Sequence, residues 1–346
     1  MIFILVILIL LVCLGFEKSN NRDMCLAKEH TDAIKGLFII IVFYSHIIPY
    51  LTDAGAQFST VLDIPANRLV CKRIGQLMVV MFLFYSGYGV TESIKSKGND
   101  YIKSMPAKRI LSTLINYDIA IIIIFCINLI LGIHYSLKQN LLSLVAWESI
   151  GLSNWYIFAI LYCYLATYIS FSLFKNYKYA FIITAVLLIP YIFLIITLKG
   201  FDQAYWYNTI MAYPTGMAVS LYKKELFSLL EKNYSLYFII LSLLFVLCFH
   251  YRSLNSFVYL ITSVIFALLI FVFNFKLVIK SRILSWLGKN LFQIYVYQRI
   301  PMIVVAMLFP YMIRLHPYLY VTFCLVITVM LAFIIKPISV SSIKPK

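Results

Sequence analysis

Of the 346 residues, 63% are hydrophobic, 17% aromatic and only 12% charged. A soluble globular domain carries roughly 25% charged residues, so this chain lacks the polar surface that a water-facing fold needs. The net charge of +16, from 29 Lys and Arg against 13 Asp and Glu, is dispersed between apolar stretches. That pattern excludes nucleic acid as a partner and fits loops facing an anionic bilayer leaflet.

A hydrocarbon layer of about 30 Å takes about 20 helical residues to cross. Eleven apolar runs bounded by charge or turn residues meet or approach that length. The first, residues 1–16, is short with no basic residue ahead of it, unlike an ordinary secretory signal, and is expected as an extra N-terminal span. The others are expected near 32–51, 74–94, 110–134, 155–174, 178–198, 206–222, 234–250, 256–275, 290–310 and 317–335. The fold class is therefore all-α, a polytopic transmembrane helical bundle of about 10–11 spans. One membrane domain, 30–336, follows the extra span, and 337–346 reads as a cytoplasmic tail. Seven cysteines (Cys13, Cys25, Cys71, Cys126, Cys163, Cys248, Cys324) stand singly, a spacing that frames neither zinc nor disulfides. They read as small packing residues.

The loops alternate in charge. Lys95, Lys97, Lys103, Lys108 and Arg109 share one; Lys175 and Lys178 another; Lys223, Lys224 and Lys232 a third; Lys276, Lys280, Arg282 and Lys289 a fourth. The loops between them hold single basic residues, Lys138, Lys199, Arg252 and Arg314. The basic set belongs in the cytoplasm, which gives a multi-pass cell-membrane protein with a cytoplasmic C-terminus. Arg68, Lys72 and Arg73 fall on the nominally outer side, against the trend.

Ionisable groups inside membrane helices face wet cavities by default. Lys35 and His46 lie eleven residues apart in the first full-length span. At 100° per residue they return to within about 20° of the same face, roughly 16 Å apart along the axis. They can be two stations of one cavity, a cation for an anionic ligand and an imidazole for proton transfer. The same spacing also suits a Lys35 that anchors the helix at the interface and a His46 in a structural hydrogen bond. Ser86-Gly87-Tyr88-Gly89 lets backbone approach a ligand, and Lys103, Lys108 and Arg109 can grip phosphates; helix packing and topology signalling are the competing explanations. Asn116 and Asp118 lie early in the next helix, with Asp118 expected beside a basic neighbour. Arg299, deep in a late apolar run beside Gln298, needs a partner.

As a set, these segments resemble the type 3 family of integral membrane acyltransferases, glycan O-acetyltransferases among them. Lys35-Gly-Leu through Ser45-His46 is similar to the family's opening signature. Phe84 to Gly89 is similar to its Ser-Gly-aromatic segment, and Lys108-Arg109-Ile110-Leu111 to the basic start of the next helix. Asn154-Trp155-Tyr156 is similar to its tryptophan-led span, and Leu287-Gly288-Lys289-Asn290 to Tyr295 to its late glycine-lysine segment. The resemblance covers roughly residues 30 to 335. It implies transfer of an acyl group, most simply acetyl, from cytoplasmic acyl-CoA to a sugar hydroxyl of an envelope or exported glycan or its lipid-linked precursor. On that resemblance His46 is the catalytic residue, as general base or acyl relay. Lys35, Lys103, Lys108 and Arg109 hold the acetyl-CoA, and Ser86, Tyr88, Asn154, Trp155, Gln298 and Arg299 line the substrate cavity. No cofactor is expected to stay bound; the donor is a substrate. The chain departs from the family in Lys35 where arginine is common, in Pro106 three residues before Arg109, and in Gln298 where a late histidine is frequent. Export of a glycan or lipid-linked sugar without acyl transfer, and a sensor or structural role, are the other classes that suit a polar cavity among many helices.

Overall fold

The computed structural model describes residues 2–19, 22–58 and 60–338. The chain starts with α1 (Ile2–Gly15) and a three-residue strand β1 (Phe16–Lys18). Helix α2 (Lys28–Asp53) follows, then α3 (Asp63–Leu69) and α4 (Leu77–Met105). Helices α5 (Ser112–Ile130), α6 (Leu137–Leu144), α7 (Trp155–Leu173) and α8 (Tyr177–Lys199) lead to the short α9 (Ala212–Leu221). Then come α10 (Lys223–Tyr251), α11 (Ser256–Lys276), strand β2 (Leu277–Ile279), α12 (Arg282–Lys289), α13 (Leu291–Tyr297), α14 (Arg299–Leu308), α15 (Pro310–Leu315) and α16 (Pro317–Ile334). It is an all-α membrane bundle whose two short strands form one antiparallel pair, Phe16 opposite Ile279 and Lys18 opposite Leu277.

Among the described residues, eight helical stretches are long and apolar enough to cross a bilayer. One of them, Leu77–Ile130, is 54 residues long, about 80 Å if straight and far more than one crossing needs. It turns back at Gly98, where φ is +56°; glycine alone adopts that left-handed conformation without a Cβ penalty. Ser86 and Gly89 before the turn and Lys108 and Ser112 after it line the same cavity, so α4 and α5 are two crossings. Pro106 then supplies no N–H for the carbonyl of Ile102, and the backbone widens into a π-type turn over Pro106–Leu111.

The segment expected at 206–222 contains only the ten-residue α9, preceded by a tight turn over Phe201–Trp206. Ten residues rise about 15 Å, half of the hydrocarbon layer. Helix α10 breaks at Asn233 (φ −138°, ψ 43°), which separates a basic first stretch from the apolar crossing expected at 234–250. The late span is divided at Gln298 into α13 and α14. Pro301 cannot donate to the Tyr297 carbonyl, so the hydrogen-bond ladder is interrupted there.

Two pairs of helices approach more closely than side chains allow. A Cβ on Gly36 of α2 would stand 1.8 Å from the Leu284 carbonyl oxygen of α12, and one on Gly288 would stand 1.8 Å from that of Asp32. Between α4 and α9 the relationship repeats: Gly87 faces the Tyr213 carbonyl at 2.1 Å and Gly216 that of Phe84 at 1.9 Å. Small residues exchanged in this way are how membrane helices gain packing contacts where lipid removes the hydrophobic drive. Of the expected tail, 337–346, the first two residues are described. Asn116 accepts from the Ile338 N–H at 2.8 Å and donates to its carbonyl at 2.7 Å, which holds 338 against α5. Residues 339–346 of that tail lie outside the described residues.

Candidate active site

A cavity of about 770 Å³ opens at the end of the bundle where the basic loops gather. Its walls come from α2, α4, α5, α7 and the α12–α13 segment. Five basic side chains line it, Lys28, Lys35, Lys108, Arg109 and Lys289, with no acidic residue among the lining set. The uncharged polar lining includes Thr31, Ser86, Ser93, Asn116 and Gln293. A mouth of this size and sign attracts a polyanion, and Arg109 adds a planar fork suited to phosphate.

Local structure fixes each cation differently. Lys35 is bound to the Asp32 carboxylate one turn earlier, 2.6 Å away, and Asp32 is almost wholly buried beneath α12. The other oxygen of that carboxylate, Oδ2, is buried without a hydrogen-bond partner. Arg109 donates from Nε to the Tyr101 hydroxyl at 2.8 Å, a contact available because the π-type turn brings 109 back over the end of α4. Lys289 follows Gly288, so the close approach of α12 to the Asp32 carbonyl also sets where that side chain leaves the backbone. Ser86 and Tyr164, also in the lining, share a 2.7 Å hydroxyl contact.

The inner limit of the cavity is aromatic. Tyr156, which lines it, packs edge-on against Tyr295 with ring centroids 5.2 Å apart. Tyr295 in turn packs edge-on against His46 at 6.1 Å. Helix α2 runs without a break through both Lys35 and His46, so the two share a face, but they are separated. Lys35 lines the cavity, whereas His46 is not among its lining residues and sits behind the tyrosine pair. His46 is half-buried, and its Nδ1 is enclosed without a hydrogen-bond partner. Arg299 stands within electrostatic reach of the imidazole and of the Tyr50 hydroxyl one turn further along α2. The Arg299 Nε and the Gln298 Oε1 are likewise buried without partners. Unpaired buried polar atoms of this kind mark places where water or ligand completes the bonding.

The sequence-derived site residues therefore divide. Lys35, Lys108, Arg109, Ser86 and Tyr88 come together around the basic cavity. His46 and Arg299 form a second polar group behind it, with Gln298 at the break beside Arg299 and donating to the Tyr295 carbonyl. Lys103 is exposed and outside the lining set. Asn154 is buried and donates to the Ala146 carbonyl at 3.0 Å, a loop-fixing bond. Trp155 lies edge-on to Tyr205 and Tyr156 rather than in the cavity wall. Asp118 has a buried oxygen, Oδ1, without a hydrogen-bond partner, and forms no ion pair among the described residues, so the expected basic neighbour is not there. Sequence reasoning missed Asp32, whose position three residues before Lys35 is the signal for such a pair. It also left Lys28, Lys289 and the Tyr156–Tyr295 pair without a role.

No curated protein and no solved structure matches the chain. A family model described as "Acyltransferase domain" matches residues 31–336, a stretch that contains both polar groups and every wall of the cavity except its rim at Leu26, Lys28, Pro337 and Ile338. A basic cavity and a histidine on the same helix face as its lysine thus fall within a match over most of the sequence, and the chain belongs to the type 3 family of membrane acyltransferases.

Proposed function

We propose that the protein moves an acetyl group from acetyl-CoA to a hydroxyl of a sugar in an envelope or exported glycan or its lipid-linked precursor. The basic end of the bundle, with the C-terminus, faces the cytoplasm in the cell membrane, as the loop charges favour. Residues 30–336 act as the catalytic unit. The five cations of the cavity bind the phosphates of the donor, and its thioester arm passes the Tyr156–Tyr295 pair to reach His46. The sugar reaches His46 from the other side.

In the transfer, the imidazole takes the proton of the sugar hydroxyl as that oxygen attacks the thioester carbonyl. The carbon–sulfur bond breaks, the thiolate recovers the proton, and an ester and free CoA leave. Arg299, beside the imidazole, offsets negative charge on the carbonyl oxygen during attack. The observation that carries this reading is the enclosed, unpaired Nδ1 of His46, on the same helix face as Lys35 and one aromatic pair behind the basic cavity.

The test is His46→Ala in membranes supplied with labelled acetyl-CoA. General-base catalysis contributes about 100-fold or more, so label in glycan should fall by at least that factor with protein level and melting unchanged. Glycan that keeps its acetyl groups in cells carrying only this variant refutes the assignment. Label that never enters glycan even with the unaltered protein refutes the donor or the acceptor class.

A further inference from the structure

Behind α9, on the side away from the basic cavity, lies a second recess of about 450 Å³. Its walls are Phe181 of α8, Met211, Ala218 and Tyr222 along α9, Leu226 of α10 and Leu268 of α11. It exists because α9 is too short to fill the layer, leaving α8, α10 and α11 to enclose a notch. From Met211 to Tyr222 the recess extends roughly 16 Å along the axis. The Thr215 hydroxyl at its wall is turned onto the Met211 carbonyl at 2.7 Å, so the interior offers almost nothing to a sugar or a nucleotide. Hydrocarbon is the chemistry that fits.

The open end of the notch is charged. The Lys178 ammonium stands over the Tyr222 ring, 5.6 Å from its centroid, and Lys175, Lys178 and Lys224 are exposed there. None of these three forms an ion pair among the described residues, whereas neighbouring Lys223 is bound to Asp23 at 2.7 Å. Unpaired lysines at a bilayer interface attract anionic headgroups. An apolar slot of this depth capped by lysines matches a single molecule with a hydrocarbon tail and a phosphate head.

We infer that this notch is a binding site for an anionic phospholipid of the leaflet at the basic end, with one acyl chain between α8, α9, α10 and α11 and its phosphate at Lys178 and Lys224. The site does not depend on the proposed transfer reaction. Helix α9 is the partition between the two recesses: its Gly216 and Tyr213 backbone meets α4 at Phe84 and Gly87, while Met211 and Ala218 face the notch.

The experiment uses the full chain in nanodiscs containing phosphatidylglycerol with a photoreactive group in one acyl chain, and maps the crosslinked peptides. Crosslinks are expected to concentrate on 211–226 and 181–187. Ala218→Trp, which fills the slot, should lower them about tenfold, and Leu268→Trp fills it from another helix should the first variant fold poorly. Lys178→Ala with Lys224→Ala should lower labelling by phosphatidylglycerol while leaving the weaker labelling by phosphatidylcholine unchanged. Crosslinks spread evenly over the lipid-facing helices, or unmoved by either tryptophan, overturn the site. Equal labelling by the two phospholipids overturns the headgroup assignment, and displacement by a polyprenyl phosphate but not by excess phosphatidylglycerol overturns the choice of occupant.

Discussion

Lys35 and Asp32 form an ion pair of 2.6 Å within one turn of α2, with the carboxylate almost fully buried and the ammonium about one-quarter exposed. The cation that resembles the family's first signature residue is thus held by its own helix before any substrate arrives. Removing one partner of a buried pair costs about 3–5 kcal/mol, because the other charge is left without compensation. Lys35→Ala should therefore lower stability by about 3 kcal/mol, and combining it with Asp32→Asn should restore most of the loss. Thermal unfolding of the single and double variants in detergent measures this. Equal melting of Lys35→Ala and the double variant would show that the pair holds nothing in place.

The two glycines flanking Tyr88 are expected to behave oppositely. Alanine at Gly87 places a Cβ 2.1 Å from the Tyr213 carbonyl oxygen, and backbone cannot yield cheaply there. Overpacking of that kind costs about 1–3 kcal/mol, so Gly87→Ala should melt well below the unaltered protein. Gly89 meets nothing within 4 Å, and alanine in a helix is favoured over glycine by about 0.5–1 kcal/mol. Gly89→Ala should melt at or slightly above the unaltered protein, and because its Cβ enters the cavity, its effect should appear as a raised donor KM.

Tyr156 and Tyr295 stand between the basic cavity and His46. Shortening Tyr156 to alanine opens a route for water along the donor's path. Release of free CoA from acetyl-CoA in the absence of acceptor should then rise several-fold relative to acyl transfer, because closed sites suppress hydrolysis of activated groups. A thiol-reactive dye follows the release. An unchanged ratio of hydrolysis to transfer would remove the pair from the donor's path.

Cys25 lies in the helical turn Arg22–Leu26 ahead of α2, buried beside the cavity rim, and burial pushes its thiol up to about 12. Thiolate is the reactive form. With its proton held until about pH 12, the group should resist maleimide at pH 7.5 and begin to react only as the pH rises toward that value. Exposed Cys71, raised only by partial burial, should label first. Comparison of the two single-cysteine proteins is the measurement, and equal rates at pH 7.5 would mean that the Arg22–Leu26 turn does not cover its cysteine.

Apolar run length revealed most of this architecture, since bilayer thickness is written directly into the chain. Helix α2 shows how far spacing carries: an uninterrupted helix between Lys35 and His46 makes their common face a matter of geometry. The separation of those two residues by Tyr156 and Tyr295 was not legible, because it depends on α7 and α13, distant in sequence, meeting beside α2. Asp32 was legible but unused; its partner was three residues away. Lys289 gained its place only through the approach of Gly288 to the Asp32 carbonyl, which no local pattern announces. Lys103 shared a loop with Lys108 and Arg109, yet it precedes the turn at Pro106 and remains on the outside.

Strands β1 and β2 join the segment after α1 to the segment before α12, with the Lys280 N–H also reaching the Gly15 carbonyl at 2.7 Å. A chain trimmed to residues 31–336 would keep Leu277–Ile279 but lose its partner, exposing a row of unmet backbone donors and acceptors near the cavity rim. Raw edges of this sort recruit other chains. The leading helix and its strand therefore act as a hem, and shortened versions of the protein should self-associate through the seam that it closes.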